Sequence, residues 1–251
     1  MTHPNEFEPR MRRAEFFHGV RVPDNMWTII RMDGKGFTKL TRDMDHPFDD
    51  NFHGFMIAVA EELHTAFNAL YTETHSDEIS MVFPRNFDLF DREVEKIVST
   101  TASYASVLFS QAIEQFCTFD SRVVIFAQDK EVVDYYEWRQ EDSVRGAINS
   151  WAYWTLRKDG YGKRTATQEL VNKGFSAKNE LLMTRYGINF NDTPLWHRRG
   201  TGIYWKKIEK EGFNPMTQEK VMATRRISVF DEKLPMKDEY RDFVWSKLYP
   251  E

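Results

Sequence analysis

The 251-residue sequence contains a single cysteine, Cys117, and has no apolar run as long as a membrane-spanning helix. One cysteine cannot form a disulfide within the chain, and it cannot supply a cysteine-based zinc site. The first residues, MTHPNEFEPRMRRAEFF, lack the apolar segment of a secretory signal. These absences predict a cytoplasmic protein that has no membrane partner.

A general excess of positive charge is also missing, because the formal net charge is −5. The chain as a whole therefore has no attraction for nucleic acid. Each basic cluster in it is, by itself, more typical of a solvated surface, but several on an acidic protein favour a local phosphate-binding surface. The clusters are RMRR (10–13), RKDGYGKR (157–164), WHRR (196–199) and WKKIEK (205–210).

Apolar periodicity predicts an α+β core in the first half of the chain. Short apolar or alternating runs indicate strands, and apolar residues at helical spacing indicate helices. The predicted elements are, in order, a strand at Trp27–Met32, a helix near 50–70, a hairpin of 71–75 and 78–83, a helix near 94–112 and a strand at Arg122–Phe126. This order is the split βαβ, or ferredoxin-like, arrangement of one sheet with two helices on one face.

The second half of the chain is predicted to be mainly helical. One long helix, or two broken ones, begins at Glu131, and a later helix ends at Gly187. Near the C-terminus the sequence predicts two strands and the turn that joins them, at 200–210, 220–230 and Gly212–Pro215. We therefore predict a core at 1–130 and a helical extension with C-terminal strands, packed on that core, at 131–251.

Three acids are predicted to meet at one end of the sheet. Asp33 ends the first strand and precedes Gly34, while Asp77 and Glu78 lie in the hairpin turn. The first strand and the hairpin are neighbours in this topology, so the carboxylates can meet, and their repulsion favours a bound cation. Magnesium accepts carboxylates, phosphate oxygens and water, and a glycine carbonyl can approach an ion closely. Two ions roughly 3.5–4 Å apart would suit a phosphoryl displacement.

A purely structural explanation also exists for these residues. An Asp-Gly pair is typical of a simple turn, and Ser-Asp-Glu after a strand is typical of a hairpin turn or a helix cap. The split βαβ order favours the metal site over this alternative, because it brings the separate pieces together.

Basic residues near the acids are candidate ligands for a triphosphate. Arg92 and Lys96 share one face at the start of the second helix, whose free N–H groups favour anions. Arg122, Lys35 and Lys39 are further candidates, since they accompany the last core strand and the Asp-Gly turn. Arg92 and Lys96 could instead form ion pairs with neighbouring acids, namely Asp88, Asp91 or Glu95.

Five stretches of the chain resemble the tRNA-His guanylyltransferase superfamily, whose enzymes add nucleotides in the 3′-to-5′ direction. The stretches are RMDGKGFTKLT, SDEISMVF, FDSRVVIF, EVVDYYEWRQEDSVRGAIN and KNELL…YGINFND…RRGTGIYW, within 31–205. Their combination and order are specific to this superfamily. The resemblance implies a polymerase-palm-like catalytic core with a mainly helical C-terminal extension.

The resemblance also implies roles for individual residues. Asp33, the Gly34 carbonyl and Asp77 would hold two Mg²⁺ ions, and Glu78 would support these catalytic acids. Contacts with the nucleotide or its triphosphate are implied for Arg31, Lys35, Gly36, Phe37, His46, Ser76, Arg92, Lys96 and Arg122. Support of the site and of the RNA 5′ end is implied for Trp138, Arg139, Gln140, Asp142, Arg145, Asn149, Lys178 and Asn179.

The implied reaction has two transfers. A tRNA 5′-monophosphate attacks ATP and becomes adenylylated, and the 3′-hydroxyl of GTP or another nucleoside triphosphate then displaces AMP. Positioning and charge stabilisation dominate such in-line displacements. The resemblance further implies that a homotetramer binds the acceptor stem of the tRNA.

Two departures from the family pattern bear on the substrate. Val144–Ser150 stands where eukaryotic members carry a His-Ile-Asn-Asn-Leu-Tyr-Asn stretch, and His46 stands where a lysine precedes a proline. Both departures favour the bacterial and archaeal "like" branch, similar to template-dependent polymerases that repair tRNA 5′ ends. The alternative is addition of a single G to tRNA-His.

Two other functions remain compatible with the residues. A nucleotidyl cyclase would use the same palm and carboxylates, although the basic clusters of the helical second half have no use in that reaction. An RNA-binding module whose acids hold a structural ion would bind RNA without any transfer.

Overall fold

The computed structural model describes residues 4–214, 216 and 219–249. Its centre is a six-stranded sheet of order β4-β1-β3-β2-β5-β6, in which every neighbouring pair is antiparallel. The strands are β1 (Trp27–Gly34), β2 (Tyr71–His75), β3 (Glu78–Phe83), β4 (Phe119–Phe126), β5 (Thr201–Asn214) and β6 (Glu219–Asp231). The helices are α1 (Pro4–Arg12), α2 (Phe37–Leu40), α3 (Asp50–Phe67), α4 (Val94–Ile113), α5 (Asp129–Lys158), α6 (Lys163–Leu170), α7 (Phe175–Tyr186), α8 (Leu195–Arg199) and α9 (Asp238–Leu248).

The predicted split βαβ core is confirmed. It comprises β1, α3, β2, β3, α4 and β4 in chain order, and α3 and α4 cover one face of the sheet. Asp49 begins α3, because its carboxylate accepts the Phe52 N–H at 2.8 Å and so satisfies a free donor of the first turn. The apolar stripe of α3 then packs against the buried Ile30 and Met32 of β1.

The other face of the sheet is covered by α5 and α9. Their buried residues, among them Tyr136 and Val244, pack on Ile29, Tyr71 and Val82 of the sheet. Each large apolar side chain buried in this way contributes roughly 1.5–3 kcal/mol. The prediction allowed one helix or two broken ones after Glu131, and the structure has one helix of 30 residues.

The last two strands extend the sheet and then leave it. β5 pairs with β2 only over Thr201–Tyr204, whereas its pairing with β6 continues to Asn214. The predicted turn at Gly212–Pro215 is wrong for residues 212–214, which belong to β5, and Pro215 lies outside the described residues. The predicted end of a helix at Gly187 is confirmed, because Gly187 caps α7 in the left-handed conformation.

The α+β class with a helical C-terminal half is confirmed. The division of the chain near residue 130 stays a prediction, since β5 joins the sheet of the first half directly. In the part of the chain that the structure describes, no helix is both long and apolar enough to cross a membrane. The cytoplasmic location also stays a prediction.

Candidate active site

The predicted carboxylates lie together at one end of β1. Pairing places Asp33 opposite Glu78 of β3 and opposite Asp120 of β4. The N–H of Gly34 donates to the carbonyl of Asp77 at 3.0 Å, so the strand end and the hairpin turn are bonded to each other. The structure thus brings Asp33, Gly34, Asp77 and Glu78 to one place, and their catalytic and metal-binding roles stay predictions.

Packing requires the first glycine of this turn, and the backbone conformation requires the second. A Cβ built on Gly34 would lie 2.6 Å from the ring of Phe37, which is closer than real Cβ contacts allow. Gly36 has a φ of +77°, in the left-handed region that other residues adopt only with strain. The Phe37 ring is buried against Phe52 and Phe109, so a nucleotide can contact Phe37 only through its backbone.

The electrostatics of the site favour a bound cation. Burial raises the pKa of the Asp77 carboxyl, and the negative charge of Asp33 raises it further. Arg31 Nε and Arg122 Nη2 lie 3.4 Å and 3.1 Å from Asp33 Oδ2, and these guanidinium groups offset part of the charge. Two carboxylates and a backbone carbonyl are hard oxygen donors, which is the ligand set that magnesium prefers. The residues present therefore fit this ion.

Glu78 is bound by a different partner. Arg139 of α5 donates to both of its carboxylate oxygens, at 2.7 Å and 2.6 Å. Burial raises the pKa of Glu78 in spite of this cation. Arg139 also lies 3.1 Å from Asp142, one helical turn further along α5. Glu78 therefore connects the site to α5, and this bidentate geometry was not predictable from the motif alone.

Replacing Arg139 with alanine is expected to destabilise the fold by about 3 kcal/mol, because Glu78 would remain buried without the cation that bonds both of its oxygens. Arg31, at 4.0 Å from Glu78, offsets only part of the remaining charge. Urea unfolding at neutral pH measures the change, and Glu78→Gln in the same chain is expected to restore most of the stability. Arg145→Ala is the matched control: its ion pairs with Glu141 and Asp142 are exposed and contribute below about 1 kcal/mol. Equal effects of the two arginine substitutions would contradict the prediction.

Two cavities adjoin the carboxylates. The first, termed the central cavity, has about 530 Å³ and lies between the carboxylates and α5, with Arg31, Glu73 and Arg139 in its wall. The second, termed the loop cavity, has about 730 Å³ and lies between the 36–49 segment and the end of α5. Ser76 and Asp77 line both cavities. Each volume is in the range of small-molecule sites.

The loop cavity collects several predicted nucleotide contacts. Gly36, Phe37 and His46 line it, and His46 stacks on Trp154 with ring centroids 3.4 Å apart. Trp154 was missed from the sequence, because nothing local distinguishes it from a packing tryptophan of α5. Lys35 has an exposed side chain, and its backbone N–H donates to the Thr118 carbonyl at 2.8 Å.

The expectation that Arg92 and Lys96 lie beside the carboxylates is wrong within one chain. α4 begins near the Trp27 end of the sheet, whereas Asp33 lies six residues further along β1, about 20 Å away. Arg92 pairs with Asp24, and Lys96 Nζ lies 2.9 Å from a carboxylate oxygen of Glu93. Their role as nucleotide ligands stays a prediction.

A second group of metal-ligand side chains lies at that same far end. His18, Glu93 and Glu95 have ligand atoms within 4.8 Å of one another. Lys96 already offsets the Glu93 charge, and this group is separate from Asp33 and Asp77.

The predicted support residues divide into two sets. Arg139 and Asp142 line the central cavity, and Arg145 pairs with Asp142 at 3.2 Å. The others bond α5 or α7 to neighbouring segments: Gln140 to the Pro235 carbonyl, Lys178 to Asn149, and Asn179 to the Phe190 N–H. These four side chains bond parts of the helical half to one another, and none of them lines the central cavity or the loop cavity.

Glu73 is a site residue that the sequence analysis missed. It is almost fully buried in β2, lines the central cavity and accepts a short hydrogen bond from the Tyr240 hydroxyl. Burial raises its pKa to about 8. The alternation of YTETH places Tyr71, Glu73 and His75 on one face, and an acid among buried positions was the available signal.

The fold agrees with comparisons to known proteins. The family model "tRNAHis guanylyltransferase" matches residues 8–127, and the model "Thg1 C terminal domain" matches residues 130–243. A probable tRNA(His) guanylyltransferase of Dictyostelium discoideum is 30% identical over 94% of this chain and 98% of its own.

Solved structures give the same result. A bacterial tRNA(His) guanylyltransferase (Thg1)-like protein in complex with ATP superposes with a TM-score of 0.74 at 25% identity, covering 96% of this chain and 99% of that one. The same kind of protein in complex with GTP gives a TM-score of 0.72 at 25% identity, covering 97% and 99%. The chain therefore belongs to the tRNAHis guanylyltransferase family, whose named members are nucleotidyltransferases.

Proposed function

We propose that the protein adds nucleotides to the 5′ end of tRNA in the 3′-to-5′ direction, as a template-directed repair of tRNAs that lack 5′ nucleotides. The observation that carries this proposal is the position of Asp77. This acid lies between the loop cavity, which has room for a nucleoside triphosphate, and the central cavity, which opens on Asp33 and Arg31. The ATP and GTP complexes of the bacterial relatives support nucleotides as substrates.

In this proposal Asp33, Asp77 and the Gly34 carbonyl hold two magnesium ions. When bound, the ions would neutralise phosphate charge and polarise the reacting oxygens. Glu78 keeps Arg139 against the site, and Ser76 donates to the Asp77 carboxylate at 3.2 Å, which orients that ligand.

The remaining residues position the two transfers. In the first, a 5′-phosphate oxygen of the tRNA attacks the α-phosphorus of ATP, and pyrophosphate leaves. In the second, the 3′-hydroxyl oxygen of the incoming nucleotide attacks the 5′-phosphate of the tRNA, loses its proton, and AMP leaves. Arg31 and Arg122 stand beside Asp33, where their guanidinium groups can hold the transferring phosphate in line.

A single-G addition to tRNA-His is the second candidate, because the Dictyostelium relative carries that activity in its name. It is the weaker one here, since the segment after Asp142 contains no histidine and Arg145 is exposed there. We also propose that the protein is cytoplasmic and forms a homotetramer. Light scattering of the purified protein tests the tetramer.

The test is 5′ extension of a tRNA that lacks its first nucleotide, with ATP, all four nucleoside triphosphates and magnesium. We expect the added nucleotide to pair with the opposite base of the acceptor stem, and to change when that base is changed. Addition of G whatever the opposite base would favour the single-G activity. Cyclic nucleotide formed without RNA would favour a cyclase, and RNA binding without transfer would leave a binding module.

A further inference from the structure

A groove outside the two cavities flanks the carboxylates on the side of β4. It has about 460 Å³ and lies between β4 and the first half of α5. Its apolar wall consists of Val124 and Phe126 from the strand and Tyr135 and Trp138 from the helix. We term it the tryptophan groove, because Trp138 of α5 is 47% exposed, whereas its neighbours Tyr135 and Tyr136 are buried.

Trp138 is held in place by the active site itself. The guanidinium carbon of Arg139 lies 4.6 Å from the centroid of the Trp138 ring, and Arg139 is fixed in turn by its two bonds to Glu78. Tyr135 contacts the ring edge-on, at 5.8 Å between centroids. A large aromatic surface is therefore both preorganised and accessible to solvent, which is the usual form of a base-stacking platform.

The two ends of the groove carry side chains of opposite charge. Arg31 and Arg122 stand at its end next to Asp33, whereas Glu131 and Asp134 stand at the other end. Arg31 Nε and Arg122 Nη2 both lie close to Asp33 Oδ2, at 3.4 Å and 3.1 Å, so two guanidinium groups meet at this end of the groove. Trp138 adjoins the arginine end, because its neighbour Arg139 bonds Glu78, which pairs with Asp33 in the sheet. A phosphate is attracted to the arginine end and repelled from the acidic end, so the base of the same nucleotide lies beside Trp138.

The surroundings of the groove decide which nucleotide it takes. The loop cavity offers a more enclosed site for a free triphosphate. The central cavity connects it with the groove, since it shares Arg31 and Trp138 with the groove and Asp77 with the loop cavity. β4 is the edge strand of the described sheet, so a polymer can leave the groove on that side. The geometry points to the tryptophan groove as the seat of the base of the RNA's 5′-terminal nucleotide, with its phosphate at Arg31 and Arg122. This inference rests on the proposed function.

The test measures binding of two 5′-phosphorylated RNA hairpins that differ only in whether the 5′-terminal residue carries its base or is abasic. The proteins are wild type, Trp138→Ala, Trp138→Phe and the control Trp245→Ala, whose tryptophan is 46% exposed on α9. ATP binding is measured in parallel. We expect Trp138→Ala to weaken binding of the complete RNA about tenfold, from the loss of one base–aromatic stack. Trp138→Phe retains most of the affinity, Trp245→Ala retains all of it, and ATP binding is unchanged.

The abasic RNA makes the outcome specific. Wild type is expected to lose about tenfold on removal of the base, and Trp138→Ala to lose nothing further, because the two changes remove one contact. The inference would be overturned if removal of the base and Trp138→Ala each reduced RNA affinity independently, so that their effects multiplied. Full affinity of Trp138→Ala for the complete RNA would also overturn it. A loss of ATP affinity instead would assign the groove to a free nucleotide. If wild type binds and extends no RNA, the proposed function fails and the inference fails with it.

Discussion

Replacing Asp33 or Asp77 with asparagine is expected to reduce the rate of nucleotidyl transfer by about a thousandfold or more. Each substitution removes a carboxylate from the predicted magnesium site, and metal ions supply several kcal/mol of charge stabilisation to such transition states. Single-turnover extension of a 5′-adenylylated tRNA, with magnesium varied, measures the effect on the second transfer alone. The magnesium requirement is expected to rise in both variants.

Replacing Asp77 with asparagine is not expected to harm the fold. Burial and the Asp33 charge raise the pKa of Asp77, so its ionised form is disfavoured in the folded protein. An amide of the same shape removes that penalty, and urea unfolding is expected to show equal or greater stability. Asp242→Asn, in an exposed position of α9, is the matched control and keeps full activity. Activity within tenfold of wild type in the Asp33 and Asp77 variants would refute the metal assignment.

Replacing Glu73 with glutamine is expected to stabilise the protein in a pH-dependent way. Burial holds the pKa of Glu73 at about 8, above its unfolded value near 4.5. Glutamine keeps an oxygen to accept the Tyr240 hydroxyl, and it carries no ionisable proton. The gain in unfolding free energy should be small near pH 4.5 and reach on the order of 5 kcal/mol near pH 8.

The sign follows from proton binding. Between the two pKa values the folded state keeps the Glu73 proton while the unfolded state has lost it, so the wild-type stability falls as pH rises through this window. Buried histidines act in the opposite direction: burial lowers the pKa values of His64, His75 and His197 to about 4, so their contribution is lost as pH falls. The difference between variant and wild type isolates Glu73.

Urea unfolding at several pH values measures this difference. Glu180→Gln, at an exposed position of α7, controls for loss of a negative charge and is expected to change little at any pH. A stability difference for Glu73→Gln that does not depend on pH would show that Glu73 ionises normally in the folded protein.

The local pattern of the sequence determined the core elements and the carboxylate end of the sheet. Alternation and helical spacing are set by which face of each element is buried, so they predicted β1, the hairpin, α3 and α4 within a few residues. The position of Asp33 beside the hairpin turn then followed from the order of these elements. The family motifs were readable for the same reason, since they lie on short contiguous segments.

Only the tertiary structure decided which distant side chains meet. Glu78 and Arg139 are 61 residues apart, and Tyr240 reaches Glu73 across 167 residues, so no local pattern could pair them. The misplacement of Arg92 and Lys96 has the same origin: β3 runs away from the hairpin turn, and the helix that follows begins at the far end of the sheet. The packing of α5 and α9 on the sheet decides which side chains are buried. It buries Glu73, whose pKa is raised, and it leaves Trp138 accessible to solvent. The sequence by itself thus determined which residues could carry the chemistry, and the long-range packing decided which of them share a site.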